Sequence, residues 1–358
     1  MKKKRILFIT LFLAKGGAER AVSIFSSELA RRGEDVHLIL FKRLPNEYPL
    51  AKEVKVYEFG WRMNWSKLGL CKRIMQMRQL IRRIAPDIVI PFLAMPTVYT
   101  YFGCLGLKKL TFISTVRNNP LLYIERPLMK RLVNYITEKS DKIMLQTQEQ
   151  RRYFPNKLGS KIFVVPNPVE QQMLDTAYYC RREVKRIVSV GRLNKQKNHT
   201  LLIKAFARLS DSFKELSLVI YGEGNDREKL EQLINKLGLR QRVSLPGNTE
   251  KVSEELARAD LFVLSSDYEG LPNTLIEAMA VGVPCISTAC PTGPKDLIQN
   301  KRDGLLTRVG DEERLARAMK YLITNFEERQ KISMAAKCKI RESFSVSKVV
   351  DIFEELLR

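Results

Sequence analysis

Two hydrophobic periods alternate along the whole chain, and this alternation constrains the fold more than any other feature. Short runs rich in Val, Ile and Leu recur at 6–10, 36–41, 88–91, 111–115, 142–145 and 162–165, and longer amphipathic stretches separate most of them. A run apolar on both faces suits a strand covered on both sides, and the intervening amphipathic stretch supplies the crossover helix that parallel pairing requires. The pattern pauses at Pro166-Asn167-Pro168-Val169, and a polar segment follows to about Glu183. It then restarts at 186–190 and continues through 216–221, 243–245, 261–264, 284–287 and 304–307. At 358 residues the chain exceeds one ordinary core and is long enough for two. The expected class is α/β with two doubly wound domains, at 1–168 and 185–340, joined by a linker at 169–184. After Asp311 the pattern reads as three helices. The last carries Val349, Val350, Ile352, Phe353, Leu356 and Leu357, an apolar set that needs a surface to cover, and the tail 341–358 is set apart for that reason.

Composition narrows the function. No apolar run approaches the ~18 residues that span a bilayer. The start resembles a signal peptide, yet Lys15, Glu19 and Arg20 stand where a small-residue cleavage site belongs, so 6–10 reads as a buried strand. Six cysteines without CxxC spacing and only two histidines, His37 and His199, support neither a disulfide framework nor a zinc site, and cytosolic thiols are expected. The formal charge is +23, unevenly spread: residues 1–180 hold 31 Lys and Arg against 14 Asp and Glu, and residues 181–358 hold 31 against 25. A basic first half attracts anionic lipid, phosphorylated carriers or nucleic acid. Nucleic acid is the weakest of these, since the basic residues are dispersed along helices and neither zinc-finger spacing nor an aromatic RNA-binding motif is present.

Two motifs carry chemistry. In Ser189-Val190-Gly191-Arg192-Leu193-Asn194-Lys195-Gln196-Lys197-Asn198 a buried strand runs into a glycine turn, and Arg192 and Lys197 are presented from the loop entering a helix. Two cations beside a helix N-terminus suit a diphosphate and can neutralise charge on a departing phosphate. A solvated basic loop would have the same sequence. In the second motif, running from Asp267 to Glu277, Glu269 precedes a helix and Glu277 falls inside it between Leu275-Ile276 and Ala278-Met279-Ala280. A carboxylate in such a helix needs partners, and vicinal sugar or ribose hydroxyls are good donors. A neighbouring Arg would also serve.

These residues resemble glycosyltransferase family 4, the retaining enzymes of the GT-B fold: Gly-Arg-Leu with a following Gln-Lys, then Glu-x7-Glu. Further matches are Gly16-Gly17-Ala18-Glu19-Arg20, Gly222-Glu223-Gly224 and Gly293-Pro294-Lys295-Asp296, so the resemblance spans nearly the whole chain. It implies two Rossmann-like domains facing across a cleft, with the donor nucleotide held by the second, the acceptor by the first, and the C-terminal helix returning to the first. It further implies that Arg192 and Lys197 clamp the diphosphate, that Glu277 binds ribose and that Glu269 faces the donor sugar. Gly191, Gly222, Gly270, Leu271, Asn273 and Thr274 would line the donor site, and Gly16 and Gly17 would let backbone approach the diphosphate. Many family members carry a histidine where this chain has Val116-Arg117-Asn118-Asn119, and Arg117 is the candidate for that subsite.

The implied reaction is front-face transfer with retention from a nucleotide sugar, UDP before GDP, to a saccharide or lipid-linked acceptor of a bacterial surface glycan. Hexose or N-acetylhexosamine is the expected unit. No cofactor is expected, and no Asp-x-Asp metal motif is present. A UDP-sugar 2-epimerase is the competing enzyme class. The stretch 61–84 interleaves Trp61, Trp65, Lys67, Lys72, Arg73, Arg78, Arg82 and Arg83 with apolar residues at helical spacing, and Arg126 to Arg131 is also basic. Both suit an interfacial helix on anionic lipid, placing the protein on the cytoplasmic membrane face, and suit equally a crossover helix with solvated charges.

Overall fold

The computed structural model describes residues 3–14, 16–60, 67–107, 109–120, 122, 124 and 126–358, with backbone alone at 67 and 68. The chain forms two compact units, one from Met1–Pro168 together with Val346–Arg358 and the other from Val169–Ser345.

The first unit runs β1 (Arg5–Thr10), α1 (Gly17–Arg31), β2 (Asp35–Leu40), β3 (Lys55–Glu58), α2 (Lys67–Ile84), β4 (Ile88–Pro91), α3 (Ala94–Cys104), β5 (Thr111–Val116), α4 (Pro127–Lys139), β6 (Lys142–Leu145) and β7 (Ile162–Val164). Its strands form one sheet in the order β3-β2-β1-β4-β5-β6-β7, with every pairing parallel. Successive side chains of β1 enter opposite layers: Ile6 and Phe8 join the core beneath α1, while Leu7 and Ile9 join the core with Met77 and Ile81 of α2 and Ile136 of α4. Strand β3 was not anticipated. It has one neighbour, β2, and its four residues are exposed or half-buried, so it lacks the apolar run that marks the central strands.

The second unit runs α5 (Gln171–Asp175), β8 (Arg186–Val190), α6 (His199–Ser210), β9 (Ser217–Tyr221), α7 (Arg227–Lys236), β10 (Val243–Gly247), α8 (Val252–Ala257), β11 (Leu261–Leu264), α9 (Asn273–Val281), β12 (Cys285–Thr288), α10 (Pro294–Leu297), β13 (Leu305–Thr307), α11 (Glu312–Thr324) and α12 (Phe326–Phe344). Its sheet, again parallel throughout, has the order β10-β9-β8-β11-β12-β13.

Residues 169–184, expected as a linker, belong structurally to this unit. Val169, Met173 and Leu174 are buried with Leu275 and Met279 of α9, and the Val169 N–H donates to the Phe344 carbonyl at 2.8 Å. The unit also extends past 340, because Ile340 and Phe344 of α12 lie in the same core.

The last helix, α13 (Val346–Leu357), belongs to the first unit, as the resemblance implied. Its Phe353 ring lies 4.5 Å from Phe25 and 6.0 Å from Phe8. Lys142 and Lys4 donate to the carbonyls of Leu356 and Leu357 at 2.7 and 2.5 Å, placing cations on the negative end of the helix dipole. Ile352, counted with the apolar set, is instead on the outer side, 37% exposed.

Candidate active site

In a doubly wound sheet a crevice opens at the carboxyl ends of the two strands where the winding direction reverses. In the second unit those strands are β8 and β11. The loop after β8 carries Arg192 and Lys197, and the loop after β11 carries Glu269, so residues over seventy positions apart converge on one point. Lys197 Nζ donates to Glu269 Oε1 at 2.6 Å, and both side chains are largely buried.

The two loops are fastened along their length. The Ser266 hydroxyl donates to Glu269 Oε1 at 2.6 Å, and Gln196 Nε2 reaches Glu269 Oε2 at 3.3 Å and the Tyr268 carbonyl at 3.0 Å. The Ser265 hydroxyl donates to the Lys197 carbonyl at 2.9 Å, and the Asp267 N–H donates to the Gln196 carbonyl at 2.9 Å. Asn198 Nδ2 donates to Asp267 Oδ1 at 2.8 Å, which holds Asn198 in the left-handed region at φ 45° while its own side chain caps α6. Gln196 lies inside the motif read from sequence, but nothing there assigned it to Glu269. Ser265 and Ser266 carry no signal in the sequence, because serine after a strand follows no period.

The glycines of this site serve close approach. Gly222 has φ 142°, and a Cβ on it would fall 2.0 Å from the Gly191 carbonyl oxygen, so the turns after β9 and β8 pack backbone on backbone. Lys197 lays its aliphatic stem over Gly191. Arg192 is exposed at the start of the loop. His199, the first residue of α6, is buried beside the backbone of Gly191 and Arg192. Burial, then the charge of Lys197, pushes it down to about 4, so it is neutral. Cys290 is likewise buried, and burial with the neighbouring Glu269 charge pushes its thiol up to about 12.

Helix α9 starts directly after the Glu269 loop. Gly270 and Leu271 are buried in the turn, Asn273 is the first helical residue, and the Thr274 hydroxyl is buried with no partner. Glu277 is buried at 2% exposure among Ile276, Ala278 and Met279. The structure therefore joins Lys197 to Glu269 directly and sets Glu277 on the next element. Among the described residues no group of three or more His, Cys, Asp and Glu side chains is placed to hold a metal ion.

In the first unit the reversal falls between β1 and β4. Gly16 and Gly17 begin α1 there, and Phe92 follows β4. Arg117, just past β5, lies with its guanidinium 5.2 Å from the centre of the Phe92 ring and donates to Asn167 Oδ1. Its Nε and Nη1 are buried with no partner. Burial pushes the group down to about 9, with the Glu19 charge opposing, so it remains a cation at neutral pH. A Cβ on Gly16 would lie 1.9 Å from Glu19 Oε2, so a larger residue there requires the Glu19 carboxylate to move.

Solved structures with the same course of chain are two-Rossmann GT-B proteins. Anabaena HepE, in complex with UDP-glucose, matches 99% of this chain and 99% of its own with a TM-score of 0.84 at 18% identity. Residues 15–172 match Glycosyltransferase Family 4 and residues 181–339 match Glycosyl transferases group 1, and the chain belongs to this glycosyltransferase family. Among curated relatives, an uncharacterized glycosyltransferase of Methanocaldococcus jannaschii is 32% identical over 64% of this chain and 62% of its own length. The Campylobacter jejuni GalNAc-alpha-(1->4)-GalNAc-alpha-(1->3)-diNAcBac-PP-undecaprenol alpha-1,4-N-acetyl-D-galactosaminyltransferase is 27% identical over 99% of this chain and 98% of its own.

Proposed function

We propose that this glycosyltransferase moves a hexose or N-acetylhexosamine from a UDP-sugar to a saccharide or lipid-linked saccharide, with retention and without a metal, in the assembly of a bacterial surface polysaccharide or lipid-linked glycan. The observation that carries the reading is the Lys197–Glu269 pair at the reversal point of the second sheet, one helix start away from buried Glu277. The UDP-glucose bound by HepE and the undecaprenyl diphosphate acceptor of the Campylobacter enzyme support the donor and acceptor classes.

In this reading Lys197 and Arg192 take the donor diphosphate, and Glu277 accepts from the ribose hydroxyls. Glu269 accepts from the sugar, and Thr274, Asn273 and the 270–271 turn border the donor. Transfer is front-face: the C–O bond to the leaving diphosphate breaks as the acceptor oxygen bonds from the same side, and the acceptor proton passes to the departing phosphate oxygen. The protein supplies position and charge, and Arg192 and Lys197 are the groups that would neutralise the departing diphosphate. Arg117 faces an anionic or hydroxyl group of the acceptor or donor in the first unit.

The proposal includes a peripheral place on the cytoplasmic membrane face. In the first unit Met75 of α2 and Leu128 and Tyr135 of α4 are exposed at 62%, 79% and 53%, on helices that also carry Arg82, Arg83, Lys130 and Arg131. Exposed apolar side chains among cations suit an anionic interface. Residues 61–66, with Trp61 and Trp65, lie outside the described residues. Among the described residues no helix is long and apolar enough to cross a membrane.

The test is nucleotide release from a panel of UDP- and GDP-sugars in EDTA, for the unaltered protein and for Glu277→Ala. Release from one donor, lost in the variant, supports the reading. A strict need for Mn²⁺ removes metal independence, and no binding of any nucleotide sugar removes the donor assignment.

A further inference from the structure

Glu269 Oε1 accepts two bonds of 2.6 Å, from Lys197 Nζ and from the Ser266 hydroxyl, while Oε2 accepts from Gln196 Nε2. Lys197 thus has two claimants under the function proposed above, on which this inference rests. It is held by Glu269 in the structure, and it is also the cation assigned to the donor diphosphate. A diphosphate carries more negative charge than one carboxylate and draws the ammonium toward itself. Glu269, only 5% exposed, would then lose its cation in a place where water cannot replace it.

We propose that Ser266, assisted by Gln196, is a positioning residue that holds the Glu269 carboxylate in place while Lys197 passes from Glu269 to the donor diphosphate, and that Glu269 draws Lys197 back when the nucleotide leaves. Ser266 is fully buried, yet its hydroxyl serves a carboxylate and not a backbone carbonyl. Its neighbour Ser265 donates to the carbonyl of Lys197 itself, so the β11 loop fixes the lysine's backbone with one serine and its side-chain partner with the next. Gln196 sits beside Lys197 in sequence, so each bond from it to the 268–269 segment also ties down the base of the lysine. With Lys197 withdrawn, Glu269 keeps one donor on each oxygen and stays ready to accept from a sugar hydroxyl.

The experiment compares the full chain with Ser266→Ala and Ser266→Thr, using the UDP-sugar that supports release. Donor kinetics, UDP binding by calorimetry and thermal midpoint are measured on each. Removing the hydroxyl lets Glu269 drift and loosens its hold on Lys197. The expected result for Ser266→Ala is a kcat lower by roughly tenfold to a hundredfold with the donor KM within about threefold, and UDP bound as tightly as by the unaltered protein or more tightly. Ser266→Thr, which keeps the hydroxyl, recovers most of kcat. A kcat for Ser266→Ala within about twofold of the unaltered enzyme overturns the positioning role. So does a fall in kcat that tracks weaker UDP binding and a lower midpoint, with threonine no better than alanine. An unaltered protein that neither binds UDP nor releases nucleotide takes down the donor assignment itself and this role with it.

Discussion

At the scale of single residues, the Lys197–Glu269 pair ties stability to chemistry. Both side chains are mostly buried, at 13% and 6% exposure, so breaking the pair from one side leaves a charge that water does not reach. Lys197→Ala should cost about 3 kcal/mol, the lower end for a buried pair, because Ser266 and Gln196 still donate to Glu269. Adding Glu269→Gln removes the stranded charge, and the double variant should regain at least about half of that loss in urea unfolding. Strictly additive losses would mean the two groups do not sense each other. His199 makes a second prediction. Its folded-state value near 4 lies below the ordinary 6.5, so between those pH values the unfolded chain binds a proton that the folded one does not. Stability therefore falls as pH drops from 6.5 to 4, by up to about 3 kcal/mol, and His199→Gln should be less sensitive over that interval in thermal melts. The cations and carboxylates at this scale were legible in sequence through their motifs. The donors that hold them were not, because a buried serine or glutamine has no distinctive spacing.

Elements were legible where burial made them so. Central strands announce themselves as short apolar runs, and β3 escaped because one paired edge and a half-exposed face demand little apolar content. The same limit explains the supposed linker: α5 is five residues long and too short to show a period, yet Met173 and Leu174 on it are core residues. The segment that follows is tied down by Arg329 of α12, which is 1% exposed. Its guanidinium donates to the carbonyls of Leu322 and Ile323 at the end of α11 and to those of Arg181 and Arg182, at 2.6 to 3.0 Å. Phe326 lies beneath it, 5.5 Å away. Arg329→Met keeps much of the volume but leaves these carbonyls without their donor. A loss of about 3 kcal/mol or more is expected in denaturant unfolding, against a change of less than about 0.5 kcal/mol for Arg317→Met on the exposed side of α11.

For the whole molecule, charge asymmetry makes the prediction. The half that holds most of the first unit has an excess of 17 positive charges, from 31 Lys and Arg against 14 Asp and Glu. The full chain should sediment with phosphatidylglycerol vesicles at low salt, remain free of phosphatidylcholine vesicles, and be released at about 0.5 M salt as screening shortens the reach of the charges. Lys130→Glu with Arg131→Glu should weaken sedimentation while leaving nucleotide release from the second unit's donor unchanged. Sedimentation that ignores both salt and lipid charge would place the attraction elsewhere. The amino-acid sequence alone determined the α/β class, the two parallel sheets, the three closing helices and the family, because each rests on periodicity or on a short motif read along the chain. Tertiary structure alone decided that residues 169–184 are built into the second unit and that Ser266 and Gln196 hold the carboxylate facing Lys197. The packing of Met173 on α9 and the bond from Gln196 to Glu269 join residues far apart in sequence, and even the local bond from Ser266 depends on burial; all are settled by which groups can be buried together with their hydrogen bonds satisfied.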